Sequence, residues 1–213
     1  DAAGNATTSA LVRNFTIRPA SDVKAALGVA EVPTAPSANP GQQIGITVPF
    51  DPLTARMTIS TIDSNGTTGT QTLTVSKADA ALGRAYFNIP LNALTGDVVV
   101  FSQVGTDPPV NFDDGTFPLQ IVPVVNSVDV TSVSGDGTTV NVTLTGLGFI
   151  EANNTEYMFG STVVKDTAIG TGPNVYEGGP LYEANGTVNL TVPLSDGAFG
   201  PITVKTAGGT SAA

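Results

Sequence analysis

Apolar and polar residues alternate along most of this chain. Leu11, Phe15 and Ile17 fall on one face of a first segment, with Asn14 and Thr16 on the other. Ile44, Ile46, Val48 and Phe50 alternate without a break; Met57 and Ile59, Leu73 and Val75, Phe87 and Ile89, and Val98 and Val100 follow, and Phe117, Leu119 and Ile121 close the set. A period of two marks a strand with one buried face. Turn formers separate the runs: Asp51-Pro52, then 63–66, then 111–115. Seven short strands before Pro123 predict one β-sandwich, and a second set of alternating runs beyond it predicts another. The predicted fold is therefore all-β, two tandem immunoglobulin-like sandwiches over 19–122 and 123–213.

One segment departs from this period. Ser21 precedes the helix formers of 22–27, and Gly28 follows them, which is the punctuation of a helix with an N-cap and a C-terminal glycine. The spacing predicts one short helix near 21–28, followed by a stiff Pro- and Ala-rich connector over 32–40. The alternative is that all of 20–43 is one ordered loop packed on the sandwich. The helix and connector cut residues 1–18 off from the other strands. That N-terminal strand either belongs to its own domain or is donated to a neighbouring repeat or subunit by strand addition.

The second half carries a more specific signature. Val128 and Val130 alternate, and 140–144 and 188–193 read as strands, the latter ending Val192-Pro193. Between them stands the turn Gly146-Leu147-Gly148-Phe149. The end is Gly200-Pro201-Ile202-Thr203-Val204, then Gly208-Gly209-Thr210-Ser211. This order resembles the IPT/TIG type of immunoglobulin-like domain, over about 124–211. In that resemblance Gly146, Gly148 and Phe149 supply backbone geometry and core. It implies a module of a large bacterial extracellular repeat protein or adhesin, making contacts end to end or through edge strands.

Composition sharpens the class. Only 12% of residues are charged, about half the usual share, so solubility rests on Thr, Ser, Asn and Gly. A net charge of −10 with eight basic residues argues against nucleic acid, whose phosphates need clustered cations. The chain holds no Cys, His or Trp. Disulfides, thiolate and imidazole chemistry, and the indole platform of many sugar-binding sites are thereby excluded. No apolar run approaches the roughly 20 residues of a membrane helix. Beginning at Asp1 without a signal pattern, the chain reads as a processed product or a stretch of something longer, the second being favoured. The expected location is extracellular or at the cell surface.

Hard oxygen ligands are what the chain offers a metal, so Ca²⁺ is the only cofactor the composition invites. The candidate ligands are Asp107, Asp113 and Asp114, in an expected loop over 105–115; the plainer reading is a solvated acidic loop. Asp1 with Asn5, and Asp129 with Asp136, are weaker pairs. Asn-x-Thr occurs at Asn5, Asn14, Asn65, Asn141, Asn153, Asn185 and Asn189, seven glycosylation acceptors by pattern. Strand patterning alone also produces them, because residues i and i+2 share an outer face.

Paired carboxylates for glycoside hydrolysis reduce to Glu151 with Glu156 and Glu177 with Glu183, all in expected loops, with Tyr157, Tyr176 and Tyr182 as the nearby aromatics. No catalytic residue is assigned and no enzyme is expected. The Gly-rich segment 165–185 is a candidate interaction loop through Tyr176, Glu177, Tyr182 and Glu183, or simply a cover over one end of a sandwich. The leading expectation is a non-enzymatic structural or adhesive repeat whose partners are neighbouring repeats, identical subunits, or a surface or glycan ligand. The alternatives are a filament, sheath or surface-layer subunit joined by its N-terminal strand, and a carbohydrate-binding accessory module.

Overall fold

The computed structural model describes residues 23–63, 67–150, 155–165 and 186–213. The expected N-terminal strand over 1–18 lies outside them. Nine strands precede Pro123: β1 (Val29–Ala30), β2 (Ser37–Ala38), β3 (Gln43–Thr47), β4 (Ala55–Ile62), β5 (Thr68–Thr74), β6 (Lys77–Asp79), β7 (Arg84–Asn88), β8 (Gly96–Ser102) and β9 (Val110–Ile121). Seven follow: β10 (Val124–Val133), β11 (Thr139–Leu147), β12 (Glu156–Phe159), β13 (Thr162–Lys165), β14 (Gly186–Pro193), β15 (Ile202–Thr206) and β16 (Gly209–Thr210). The only helical turns among the described residues are two 3-10 turns, Pro52–Thr54 and Asp196–Ala198.

The first sandwich packs sheet β2-β9-β8-β4-β5 on sheet β3-β7-β6. Its core draws on both: Ile44, Ile46 and Phe87 from one, Met57, Ile59, Val98, Val100, Phe117 and Leu119 from the other. The period-two pattern is realised directly. In β4, Ala55, Met57 and Ile59 are buried while Arg56, Thr58 and Ser60 stay half exposed. The second sandwich packs β10-β11-β14 on β1-β16-β15-β12-β13, around Val142, Leu144, Tyr157, Phe159, Val188, Leu190, Val192 and Val204. Both partitions are of the immunoglobulin type.

Phe149 packs edge-on against Tyr157, with ring centres 5.8 Å apart at 88°. A side chain at Gly146 would fall 2.3 Å from the Phe149 ring and 2.2 Å from the Val124 carbonyl oxygen, so this glycine is a packing requirement.

Three expectations are corrected. The predicted helix near 21–28 is absent over 23–28, where the chain is irregular or bent. Its backbone donors are captured by side chains of the following segment: Ala25 N donates to Ser37 Oγ at 3.0 Å, Ala26 N to Gln42 Oε1 at 3.0 Å and Leu27 N to Asn39 Oδ1 at 2.8 Å. Tertiary partners thus outcompete a weak intrinsic propensity.

The Pro-rich stretch is likewise packed on the sandwich. Ser37 and Ala38 pair in parallel with Gln120 and Ile121. The third correction is the acidic loop. Pairing of Val110 with Ser102 and Asn111 with Phe101 makes 110–121 one long strand, and residues 112–115 stand against Val100 alone as a wide bulge. The turn-forming residues there bend a strand rather than end it.

The joint between the sandwiches as candidate functional site

Only Val122 and Pro123 separate β9 from β10, but the covalent link is the smaller part of the joint. The segment before β2 crosses over and becomes part of the second sandwich. β1 pairs antiparallel with β16, Val29 opposite Thr210 and Ala30 opposite Gly209, and Glu31 N donates to Gly208 O at 3.2 Å. Glu31 also bridges Lys205 at 3.4 Å, an exposed ion pair that adds little by itself.

Four amide and hydroxyl side chains hold the crossing segment in place. Asn39, only 4% exposed, does most. Its Oδ1 accepts from Leu27 N, and its Nδ2 donates to Leu27 O and to Val122 O, both at 3.0 Å. One side chain thereby ties the incoming segment to the outgoing connector. Gln42 Oε1 accepts from Asn39 N at 2.9 Å, and its Nε2 donates to Lys24 O at 2.8 Å. Gln120 closes the far end by pairing both ways with the Val32 backbone, at 2.7 and 2.9 Å. With Ser37 Oγ on Ala25 N, these side chains supplement the few backbone bonds of the segment, such as Ser37 N to Val23 O at 3.0 Å.

The glycines of the joint make the contact close. A Cβ on Gly208 would meet Ile121 O at 1.9 Å and Thr95 Oγ1 at 2.5 Å. One on Gly28, whose φ is 78°, would meet Thr210 O at 2.4 Å. The Gly208-Gly209-Thr210-Ser211 run therefore serves the interface as well as the strand it closes. Ser211, itself buried, exchanges hydrogen bonds with the Val204 backbone at 2.8 and 3.0 Å.

The sequence-predicted sites distribute as follows. Asp107 sits in the β8–β9 turn, with its N–H donating to Val104 O and its carbonyl accepting from Gln103 Nε2. Asp113 and Asp114 lie in the bulged part of β9 rather than in a loop. Among the described residues no group of three or more acidic side chains is placed to hold a metal ion. Asp129 is a strand residue of β10. Asp136 caps the β10–β11 hairpin: it accepts from Ser134 Oγ at 2.6 Å and from Thr138 N and Oγ1 at 3.1 and 2.8 Å. These donors, Ser134 first, lower its pKa from 3.8 to about 2.

Glu156 is on strand β12, not in a loop, and is bound to Lys165 at 2.7 Å, which lowers its pKa. Tyr157 is fully buried in the core and has no face to offer a sugar. Glu151, Tyr176, Glu177, Tyr182 and Glu183 lie outside the described residues, as do Asp1, Asn5, Asn14, Asn65, Asn153 and Asn185. Asn141 and Asn189 interlock: Thr191 Oγ1 donates to Asn141 Oδ1 at 2.7 Å, and Thr143 Oγ1 to Asn189 Oδ1 at 2.6 Å. Each of these sequons thus engages the neighbouring strand's sequon, and Asn141 Nδ2 also donates to Ser132 Oγ on β10 at 2.9 Å. Sequence reasoning did not find the joint, whose legible signals were Asn39 among prolines and the Gly208-Gly209 pair.

No family model matches the chain, and no curated protein matches it. Among solved structures, the chain is similar to SGBP-B of the Bacteroides ovatus mixed-linkage glucan utilization locus, in complex with a mixed-linkage heptasaccharide. Identity is 18% and the TM-score 0.27, over 82% of this chain and 38% of that one. On a fit this loose, nothing of that protein's binding transfers to this chain.

Proposed function

We propose that the chain is a non-enzymatic structural repeat of a large secreted or cell-surface protein, acting as a stiff two-sandwich spacer. The observation that supports this is the joint. A strand leading into one sandwich is hydrogen-bonded into the sheet of the other, and Asn39 fastens both chain crossings. A spacer needs its modules to hold one orientation under load, and strand addition across the boundary resists swinging better than a two-residue linker alone. A surface with few charges and Thr-rich outer strand faces fits an extracellular setting. The IPT/TIG resemblance over 124–211 agrees with the same reading.

Small-angle scattering on the full chain tests this. For the monomer isolated by size exclusion at low salt, one form with a narrow inter-module distance is expected; a broad ensemble of inter-module distances would count against it. A glycan panel decides the alternative. Binding that disappears in Tyr176→Ala or Tyr182→Ala would replace the spacer with a carbohydrate-binding module.

A further inference from the structure

A sheet that ends in an open edge offers unpaired N–H and C=O groups to any other strand, and folded proteins normally blunt such edges with charge, proline, bulges or brevity. Most edges of this chain follow that rule. β1 and β2 have two residues each, β6 has three with Lys77 and Asp79, and β13 has four and ends in Lys165. β10 carries Asp129 and two register shifts, and β14 ends in Pro193. Two edges lack charge, proline and bulge: β3, five residues long, and the longer and more exposed β5, Thr-Gly-Thr-Gln-Thr-Leu-Thr. Its seven pairs with β4 run without a bulge, it holds no charge and no proline, and its outer side has no partner among the described residues. Six of its seven residues are exposed, and a Cβ on Gly69 would meet nothing within 4 Å.

We propose that β5 is a docking edge for β5 of a second copy of this chain, paired antiparallel about a two-fold axis at Gln71. The strand is self-complementary in that register. Thr68 faces Thr74, Thr70 faces Thr72, Gln71 faces itself, and Leu73 faces Gly69, where no side chain competes for space. The even-numbered threonines of both copies share one face, so a threonine array that begins with Thr58 and Thr72 at 3.5 Å continues across the axis. Opposed threonines are favourable cross-strand pairs, and no like charges stand directly opposite. This last point selects a second copy: each chain bears a net charge of −10, and β5 is an edge at which two such chains meet without a charge contact. The long-range repulsion that is left is screened by salt, so pairing strengthens as ionic strength rises.

The test uses the full chain, which has no cysteine of its own. Gln71→Cys places one thiol opposite its own symmetry mate. Directly opposed strand residues lie about 4.5–5.5 Å apart at Cα, inside disulfide reach, whereas a Thr72→Cys pair is offset to about 7–8 Å and should cross-link roughly tenfold more slowly. Mild oxidation is expected to give a covalent dimer with Gln71→Cys much faster than with Thr72→Cys or the distant Leu82→Cys. In sedimentation equilibrium the unmodified chain is expected to dimerise more as salt is added. Gln71→Lys, which sets two ammonium groups face to face, is expected to stay monomeric with an unchanged far-UV spectrum. Monomer at every concentration and salt, equal cross-linking at all three positions, or a dimeric Gln71→Lys would each overturn the proposal. None of these outcomes bears on the joint within one chain, so the spacer reading is tested separately.

Discussion

Asn39 shows how one residue can set the geometry of two modules. Its three side-chain bonds reach Leu27 on the incoming segment and Val122 on the outgoing one. Asn39→Leu would leave the buried Val122 carbonyl without this partner, at roughly 1–3 kcal/mol, and would remove the part-buried bonds to the Leu27 backbone, whose groups water can partly reach. A fall of about 1–3 kcal/mol in urea-unfolding stability is expected, against a change within about 0.5 kcal/mol for the exposed Gln43→Ala. Gly208→Ala tests the close approach from the other side. Its new methyl group would meet the Ile121 carbonyl, and a loss of roughly 1–3 kcal/mol is expected by the same measurement.

Asp136 gives the pH dependence a sign. Its folded pKa of about 2 lies below the ordinary 3.8, so its contribution is present above pH 3.8 and is lost as pH falls toward 2. Melting curves across that window should slope less for Asp136→Asn than for the unmodified chain.

At the scale of elements, the strands were legible because one face of each is buried. Met57 and Ile59, or Val98 and Val100, leave a period-two trace that needs no knowledge of the partner strand. Segments held by side chains left no such trace. The run from Val23 to Gly28 has helical punctuation, but Ser37, Asn39 and Gln42 take its donors, and those partners are more than ten residues away. β12 and β13 are short, and Glu156 and Tyr157 looked like loop residues until pairing with β15 placed them. β1 was illegible for a further reason: its partner, β16, lies about 180 residues further along the chain, and two residues have no periodicity. Glu31→Pro removes the donor to Gly208 and the bridge to Lys205 together. Far-UV dichroism should change little, since both cores are intact, while scattering should report a wider spread of inter-module distances.

At the scale of the whole molecule, two hydrophobic cores are joined by hydrogen bonds and glycine contacts. On the proposed spacer reading, those bonds, with the buried Val122 between them, keep the sandwiches from moving independently. Nuclear magnetic resonance in a weakly aligning medium tests this most directly. Residual dipolar couplings from the strands of the two sandwiches are expected to fit a single alignment tensor, and to separate into two in Asn39→Leu. Two tensors of different magnitude in the unmodified chain would contradict the account, because the sandwiches would then be reorienting about Val122 and Pro123.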